Sequence, residues 1–188
     1  LLSYLGVFLS KLSLKNAAKK CINEAIELKD AYIPRVAAGT VRFLLDDIDG
    51  SFMQLYHALR LSKDLKQDGI EAKINIAQLY ALEGEYRIAL KYITDALRIT
   101  PDPLARLIRG KILIQLRRLN EAIVAFKALA GNANKTIRTN ALLNLAICFI
   151  LKKNYKKAFD CLWTAHMGNP DNEYINLLVS TLKILSDR

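Results

Sequence analysis

The sequence predicts an all-α protein built from about five consecutive helix pairs and one further C-terminal helix. Three observations point there. Of 188 residues, 52% are hydrophobic, while glycine (8) and proline (4) are scarce; this argues against both a disordered chain and a turn-rich β fold. Alanine, leucine, isoleucine and lysine dominate, and most of these favour helix. The chain also repeats itself. Ala25, Ala58, Ala96, Leu129 and Ala165 follow one another at intervals of 33, 38, 33 and 36 residues, a period characteristic of stacked supersecondary units.

The first unit, Leu1 to Asp30, carries Gly6, Leu9, Ala18, Ile22 and Ala25, and lacks only the first residues of its first helix. The second, Tyr32 to Gln67, carries Gly39, Ser51, Leu55 and Ala58-Leu59 and is the loosest copy. Its polar run Asp46-Asp47-Ile48-Asp49-Gly50 is expected to hold an extra residue or two. The third, Ile70 to Pro103, is the clearest, with Ala77, Tyr80, Gly84, Tyr86, Ala89, Ile93, Ala96-Leu97 and Pro101. Ala77 and Ala89 let two helices approach, and Tyr80, Tyr86 and Ile93 fill the space around them. Gly84 supplies left-handed geometry between the helices. Pro101 ends the second helix because it cannot donate the next backbone bond.

The fourth unit, Pro103 to Thr136, has Gly110, Leu113, Leu119, Ala122, Phe126 and Leu129. The fifth, Thr139 to Asn172, has Ala146, Phe149, Tyr155, Ala158, Leu162, Ala165 and Pro170, with Lys153 where the third unit has its turn glycine. That replacement is expected to alter the local turn. Trp163 is expected in the core. The longer intervals fall at Ser62–Gly69 and Gly131–Thr136, where loops absorb insertions that helices cannot. Glu173 to Ser186 reads as one more amphipathic helix, with Tyr174, Leu177, Leu178, Thr181, Leu182 and Leu185. It is either a cap on the array or the start of a sixth unit.

This pattern resembles the tetratricopeptide repeat, a helix–turn–helix unit of about 34 residues, over nearly the whole chain. The resemblance implies a right-handed α-solenoid forming a single superhelical domain. Its repeats would lie near 1–31, 32–69, 70–103, 104–138 and 139–172, with a terminal helix at 173–188. The chain opens at Leu1, within an expected helix, and reads as a piece of a longer protein. Arg109 and His166 stand where the family usually has apolar residues.

The resemblance also implies a function: a protein–protein interaction scaffold or adaptor within a multi-subunit assembly. In the family, the first helices of the repeats line a concave groove that holds a partner's helix or extended segment. Carried over by position, the groove would comprise Ile33, Val36, Thr40 and Phe43, then Glu71, Ile74, Gln78 and Ala81, then Leu104, Leu107, Lys111 and Ile114, then Asn140, Leu143, Ile147 and Ile150. Most of these are apolar, so the groove is expected to bind by burial. The family's clamp for acidic chaperone tails needs ordered Lys and Asn residues on successive helices. Asn75 and Lys111 occur singly, which argues against chaperone carboxyl tails as ligands.

The net charge of +10 is concentrated. Pro103 to Gly168 holds twelve basic residues against Glu121 and Asp160, and the remainder is balanced. Arg106, Arg109 and Lys111 lie on one expected helix. Arg117-Arg118, Lys152-Lys153 and Lys156-Lys157 fall at or beside turns. Such a field would steer an acidic protein partner. The alternative is a nucleic-acid-binding repeat protein using the same fourth and fifth units. Aliphatic groove positions without stacking aromatics argue against it. A membrane is excluded as a span, because the best apolar run, Ala141–Leu151, has 11 residues and contains Asn144.

No constellation for catalysis, metal or cofactor binding is visible. His57 and His166 are far apart and lack ligands at metal spacing. The Asp46–Gly50 run lacks the spacing and terminal Glu of a calcium loop. There is no phosphate-binding glycine loop and no nucleophile elbow. The three cysteines, Cys21, Cys148 and Cys161, form no close pair, which points to reduced thiols and a cytoplasmic or other reducing compartment. An apolar groove or exposed repeat end leaves self-association open.

Overall fold

A computed structural model describes residues 1–64 and 68–186, without the side chains of 174 and 184–186. The chain divides into two compact units, Leu1–Thr100 and Pro101–Arg188. The first holds α1 (Leu2–Lys11), α2 (Lys15–Leu28), α3 (Tyr32–Leu44), α4 (Ile48–Asp64), α5 (Ile70–Leu82) and α6 (Tyr86–Ile99). The second holds α7 (Pro103–Gln115), α8 (Leu119–Lys127), α9 (Lys135–Leu151), α10 (Tyr155–Gly168) and α11 (Glu173–Ser186). No strand occurs among the described residues. In the first unit α1 packs on α2, α3 on α4 and α5 on α6, while α1·α3 and α4·α5 join the pairs. In the second, α7 packs on α8, α8 on α9, α9 on α10 and α10 on α11.

Each pair is locked by one recurring contact position. A small residue of the first helix stands sixteen positions before a large apolar residue of the second: Gly6 and Ile22, Gly39 and Leu55, Ala77 and Ile93, Gly110 and Phe126, Ala146 and Leu162. All ten are buried. A β-carbon on Gly39 would stand 2.5 Å from Leu55 Cγ, inside any real carbon–carbon contact, so the helices approach closely enough to require the missing side chain. The offset holds in the second pair as in the others. No extra residue therefore occupies the Asp46–Gly50 run, contrary to the sequence expectation. The extra length lies beyond it, where α4 runs on to Asp64 and a connection leads to Gly69; residues 65–67 of that connection are outside the described residues.

The turns inside the pairs are all alike. Each has three residues, and the middle one is left-handed: Ser13, Asp46, Arg117 and Lys153 at φ of 57° to 62°, and Gly84 at 80°. The following amide reaches back five residues to close the helix: Leu14 to Leu9, Asp47 to Arg42, Glu85 to Tyr80, Arg118 to Leu113 and Asn154 to Phe149, at 2.8–3.0 Å. This is the Schellman closure of a helix C-terminus. Lys153 therefore adopts the same turn as Gly84 rather than a changed one, because the closing bonds are backbone bonds and tolerate a side chain at a conformational cost.

Short polar side chains set the starts of α4, α7, α9 and α10. Asp102 accepts from Ala105 N at 2.6 Å ahead of Pro103, which fits the first turn of α7 without a donor. Asn134 and Asn154 cap α9 and α10 in the same way. Asp47 accepts from Gly50 N at 3.0 Å and from Arg42 Nη1 at 2.6 Å. The Asp47 carboxylate thus belongs to a helix start and an ion pair.

Ile175 of α11 is buried against Leu142 and Ala165, so α11 covers the last pair. Tyr174 and Leu185 of the expected amphipathic pattern lie outside the described side chains. Trp163 is 48% exposed, not core. The inward face of α10 is Ala158, Leu162 and Ala165, and one residue past Leu162 the helix has turned about 100° away. The indole stacks on Phe159 at 6.1 Å instead.

Candidate functional site

The first unit contains a cleft of about 1040 Å³. One wall is α1. Tyr4, Val7, Phe8 and Lys11 follow at steps of three and four, so they share one face of that helix. The other wall is the approach to α3 and its first turns: Lys29, Asp30, Tyr32, Ile33, Pro34, Val36, Ala37 and Thr40. Leu61 and Asp64 of α4 and Glu71 of α5 close one end. Tyr4, Phe8 and Ile33 stand open to solvent, Ile33 at 57%. The walls are apolar and the charges, Lys11, Lys29, Asp30, Asp64 and Glu71, sit around them.

The cleft is held by polar contacts that leave its apolar walls free. Arg35 donates from Nε and Nη2 to the two oxygens of Asp30 at 2.6 and 2.7 Å, and from Nη1 to Gln54 Oε1 at 2.7 Å. The Arg35 bond holds the Asp30 carboxyl below its ordinary range. Tyr32 Oη donates to Glu71 Oε2 at 2.8 Å and accepts from Ala72 N at 3.2 Å. It thereby satisfies an amide in the first turn of α5, which Gly69 cannot cap with a side chain. Burial pushes the Tyr32 phenol well above its ordinary value, and the Glu71 carboxylate adds to the rise. Thr40 Oγ1 accepts from Asn75 Nδ2 at 3.1 Å, a second tie between α3 and α5.

The residues expected to form a groove separate by helical position. Ile33 and Val36 line the cleft. Val36 and Phe43 also pack against Leu55, Ile76 and Leu79. Ile74 and Gln78 on α5 are half-buried and lie outside the cleft lining. In the second unit Leu104, Lys111, Ile147 and Ile150 are exposed and Ile114 is half-buried. Leu107 does not line a surface: it is 3% exposed. It stands one turn before Gly110 on the same helix face, and that face turns inward to α8. Leu143, at the equivalent position before Ala146, likewise packs inward, against Leu142, Ala165 and Ile175.

The basic residues expected to form a patch in the second unit are exposed except Arg109, which is half-buried with its Nε unpartnered among the described residues. Arg106 and Lys111 share α7 with it. Arg118 is paired to Glu121 at 2.6 and 2.8 Å. Lys152 Nζ donates to Asn120 Oδ1 at 2.7 Å, which ties the α9–α10 turn to the start of α8. Lys157 lies 5.9 Å over the Phe149 ring. Arg117 and Lys153 project from left-handed turn positions beside Lys156.

Sequence reasoning left out the α1 wall and the role of Tyr32. The spacing of Tyr4, Val7, Phe8 and Lys11 was the available signal for the first. Nothing local signalled the second, since its partners are 39 and 40 residues away. Among the described residues, no group of three or more His, Cys, Asp or Glu could hold a metal ion. His57 lies 3.9 Å from Asp30, and His166 pairs with Asn176 at 2.6 Å. Burial raises the Cys148 and Cys161 thiols to about 11, the opposite of an activated nucleophile. No described helix is long and apolar enough to cross a membrane.

Close helix pairs joined by uniform three-residue turns define a helical-repeat protein. Residues 70–103 match the family model described as Tetratricopeptide repeat, and the fold of the chain is that of tetratricopeptide-repeat proteins. No curated protein matches it. Among solved structures it is similar to Pseudomonas aeruginosa pilF, at 19% identity and a TM-score of 0.80 over 100% of this chain and 84% of that one. It is also similar to YrrB, described as a TPR protein with an unusual peptide-binding site, at 21% identity and 0.70 over 96% and 90%. A chain of the APC/C hetero-tetramer Cut9-Hcn1 aligns at 13% identity and 0.79, and there this chain spans 36% of the other. At these identities the likeness concerns the fold.

Proposed function

We propose that the chain is a protein–protein interaction scaffold whose first unit takes an apolar segment of a partner, helical or extended, in the cleft between α1 and α3. The observation that carries this is the cleft itself: about 1040 Å³ with Tyr4, Phe8 and Ile33 exposed on its walls. Exposed aromatic and aliphatic side chains around a concave space are what a partner's apolar anchors need. Tetratricopeptide repeats in general act as interaction scaffolds, and the peptide-binding site named for YrrB is in keeping with this reading. The basic residues of the second unit would add contacts to acidic stretches of the same partner and speed its arrival. Membership of a multi-subunit assembly is part of the same proposal.

The test is a photo-crosslinking residue placed at position 8, used in native extract on the folded chain and on an Ile33→Glu variant. Circular dichroism is checked first. A defined protein joined at position 8 and lost in the Ile33→Glu variant supports the cleft. Crosslinking that ignores the substitution overturns it. A product that is nucleic acid, and that high salt removes, would favour the basic repeats of the second unit as the binding surface.

A further inference from the structure

Two turns of the first unit, α3–α4 and α5–α6, form an acidic edge, and the two turns of the second unit form a basic one, each around exposed apolar side chains; the α1–α2 turn, flanked by Lys11 and Lys15, is not part of the acidic edge. In the first unit Phe43, near the end of α3, and Tyr80, near the end of α5, pack against one buried cluster, Leu55, Ile76 and Leu79, which brings the two helix ends together. Their turns present Leu44 and Leu82, the latter 62% exposed. Around these stand Asp46, Asp49, Glu83 and Glu85, all exposed and engaged in no ion pair among the described residues. In the second unit the α9–α10 turn is tied by Lys152 to Asn120 at the start of α8. The α7–α8 and α9–α10 turns present Leu151, 42% exposed, and Tyr155, surrounded by Arg117, Lys153 and Lys156.

We propose that the acidic turn edge of the first unit docks on the basic turn edge of the second unit of another copy of this chain. Exposed charge pairs are individually weak, so the leucines and Tyr155 supply the apolar centre and the opposed charges supply register and rate. An apolar centre with a polar rim is the ordinary anatomy of a protein interface. The two edges differ, so the contact is heterologous and joins copies head to tail unless the rotation closes a ring. The proposal is independent of the cleft, which opens on other residues.

The test is sedimentation equilibrium of the nuclease-treated chain across micromolar concentrations. The mass is expected to rise above that of a monomer at low salt. Raising salt from about 0.05 M to about 0.5 M shortens the Debye length severalfold and is expected to weaken association about tenfold. Two variants separate this from other contacts. Glu83→Lys with Glu85→Lys cancels the charge of the acidic edge, where Asp46 and Asp49 remain, and Lys153→Glu with Lys156→Glu removes the positive excess of the basic edge; each variant keeps its other edge intact. Each alone is expected to stay monomeric, and an equimolar mixture is expected to associate. Folding is confirmed by circular dichroism, and none of the four side chains holds a partner among the described residues. A wild type that is monomeric throughout overturns the proposal. So does a single variant that self-associates as strongly as the wild type, or a mixture of folded variants that does not associate.

Discussion

The Phe126 ring lies against the backbone of Gly110, so that a β-carbon there would stand 2.5 Å from both Cε1 and Cζ. Phe126 is fully buried, and a ring edge cannot fold away as an aliphatic tip can. Gly110→Ala gains about 0.5–1 kcal/mol of helix propensity but overpacks a closed site, which costs about 1–3 kcal/mol. The expected result is a net loss of stability, read as a lower urea midpoint. Gly6→Ala meets the Cγ1 and Cδ1 atoms of Ile22 instead, atoms of a side chain with a second rotatable bond, and is expected to cost less. Adding Phe126→Leu to Gly110→Ala is expected to recover part of the loss, showing that the ring is the obstacle.

The left-handed turn residues invite the opposite kind of change. Lys153 at φ 57° and Arg117 at φ 59° bear side chains in a conformation that favours glycine. Lys153→Gly is expected to stabilise the chain by about 0.5–1 kcal/mol, since relief of turn strain outweighs the added freedom of the unfolded chain. Gly84→Ala should do the reverse by a similar amount, although nothing lies within 4 Å of the position to obstruct a β-carbon. Equal midpoints for Lys153→Gly and the parent chain would show that the turn is not strained.

The helix pairs were legible because their cause is compositional: one small residue, one large one, and a constant spacing between them. Gly39 with Leu55 obeys it even in the loosest copy. The positions of the turns were legible, but their left-handed geometry only where glycine marked it. Ser13, Asp46, Arg117 and Lys153 give no such mark, because the closing bonds run between backbone atoms. The cleft was half legible. Ile33 and Val36 follow from their repeat position, but Leu107 shows the limit of that reasoning: the same row of positions faces a space at α3 and a neighbouring helix at α7. Trp163 was misplaced because helix membership was read without its rotation.

Tyr32 offers a test of how the cleft end is held. Its phenol satisfies Ala72 N, on a fully buried residue. Tyr32→Phe keeps the ring and removes the oxygen, leaving that amide without its partner. A buried donor without a partner costs about 1–2 kcal/mol. The expected result is a loss of that size, with faster amide exchange in the first turn of α5. Unchanged exchange there would mean that water replaces the phenol.

The same hydroxyl, together with that of Tyr56, predicts how the protein fails in base. Tyr56 shares hydrogen bonds with Tyr80 at 2.7 Å and Tyr92 at 3.2 Å. Its phenol is pushed far above the ordinary value by burial and by those two neighbours, as Tyr32 is by burial and Glu71. In the unfolded chain both ionise near an ordinary tyrosine value of about 10. Above that pH the unfolded state sheds protons that the folded state keeps, so stability falls as pH rises. Below about pH 9 neither state ionises these groups, and they add no slope there. Urea midpoints are therefore expected to be insensitive to these tyrosines from pH 7 to about 9 and to drop above about 10. Lysines titrate in the same range, so the informative comparison is with the Tyr32→Phe, Tyr56→Phe double variant. It starts lower at neutral pH and is expected to lose less on going to pH 11. If both proteins decline in parallel, ionisation of these two phenols is not what opens the fold in base.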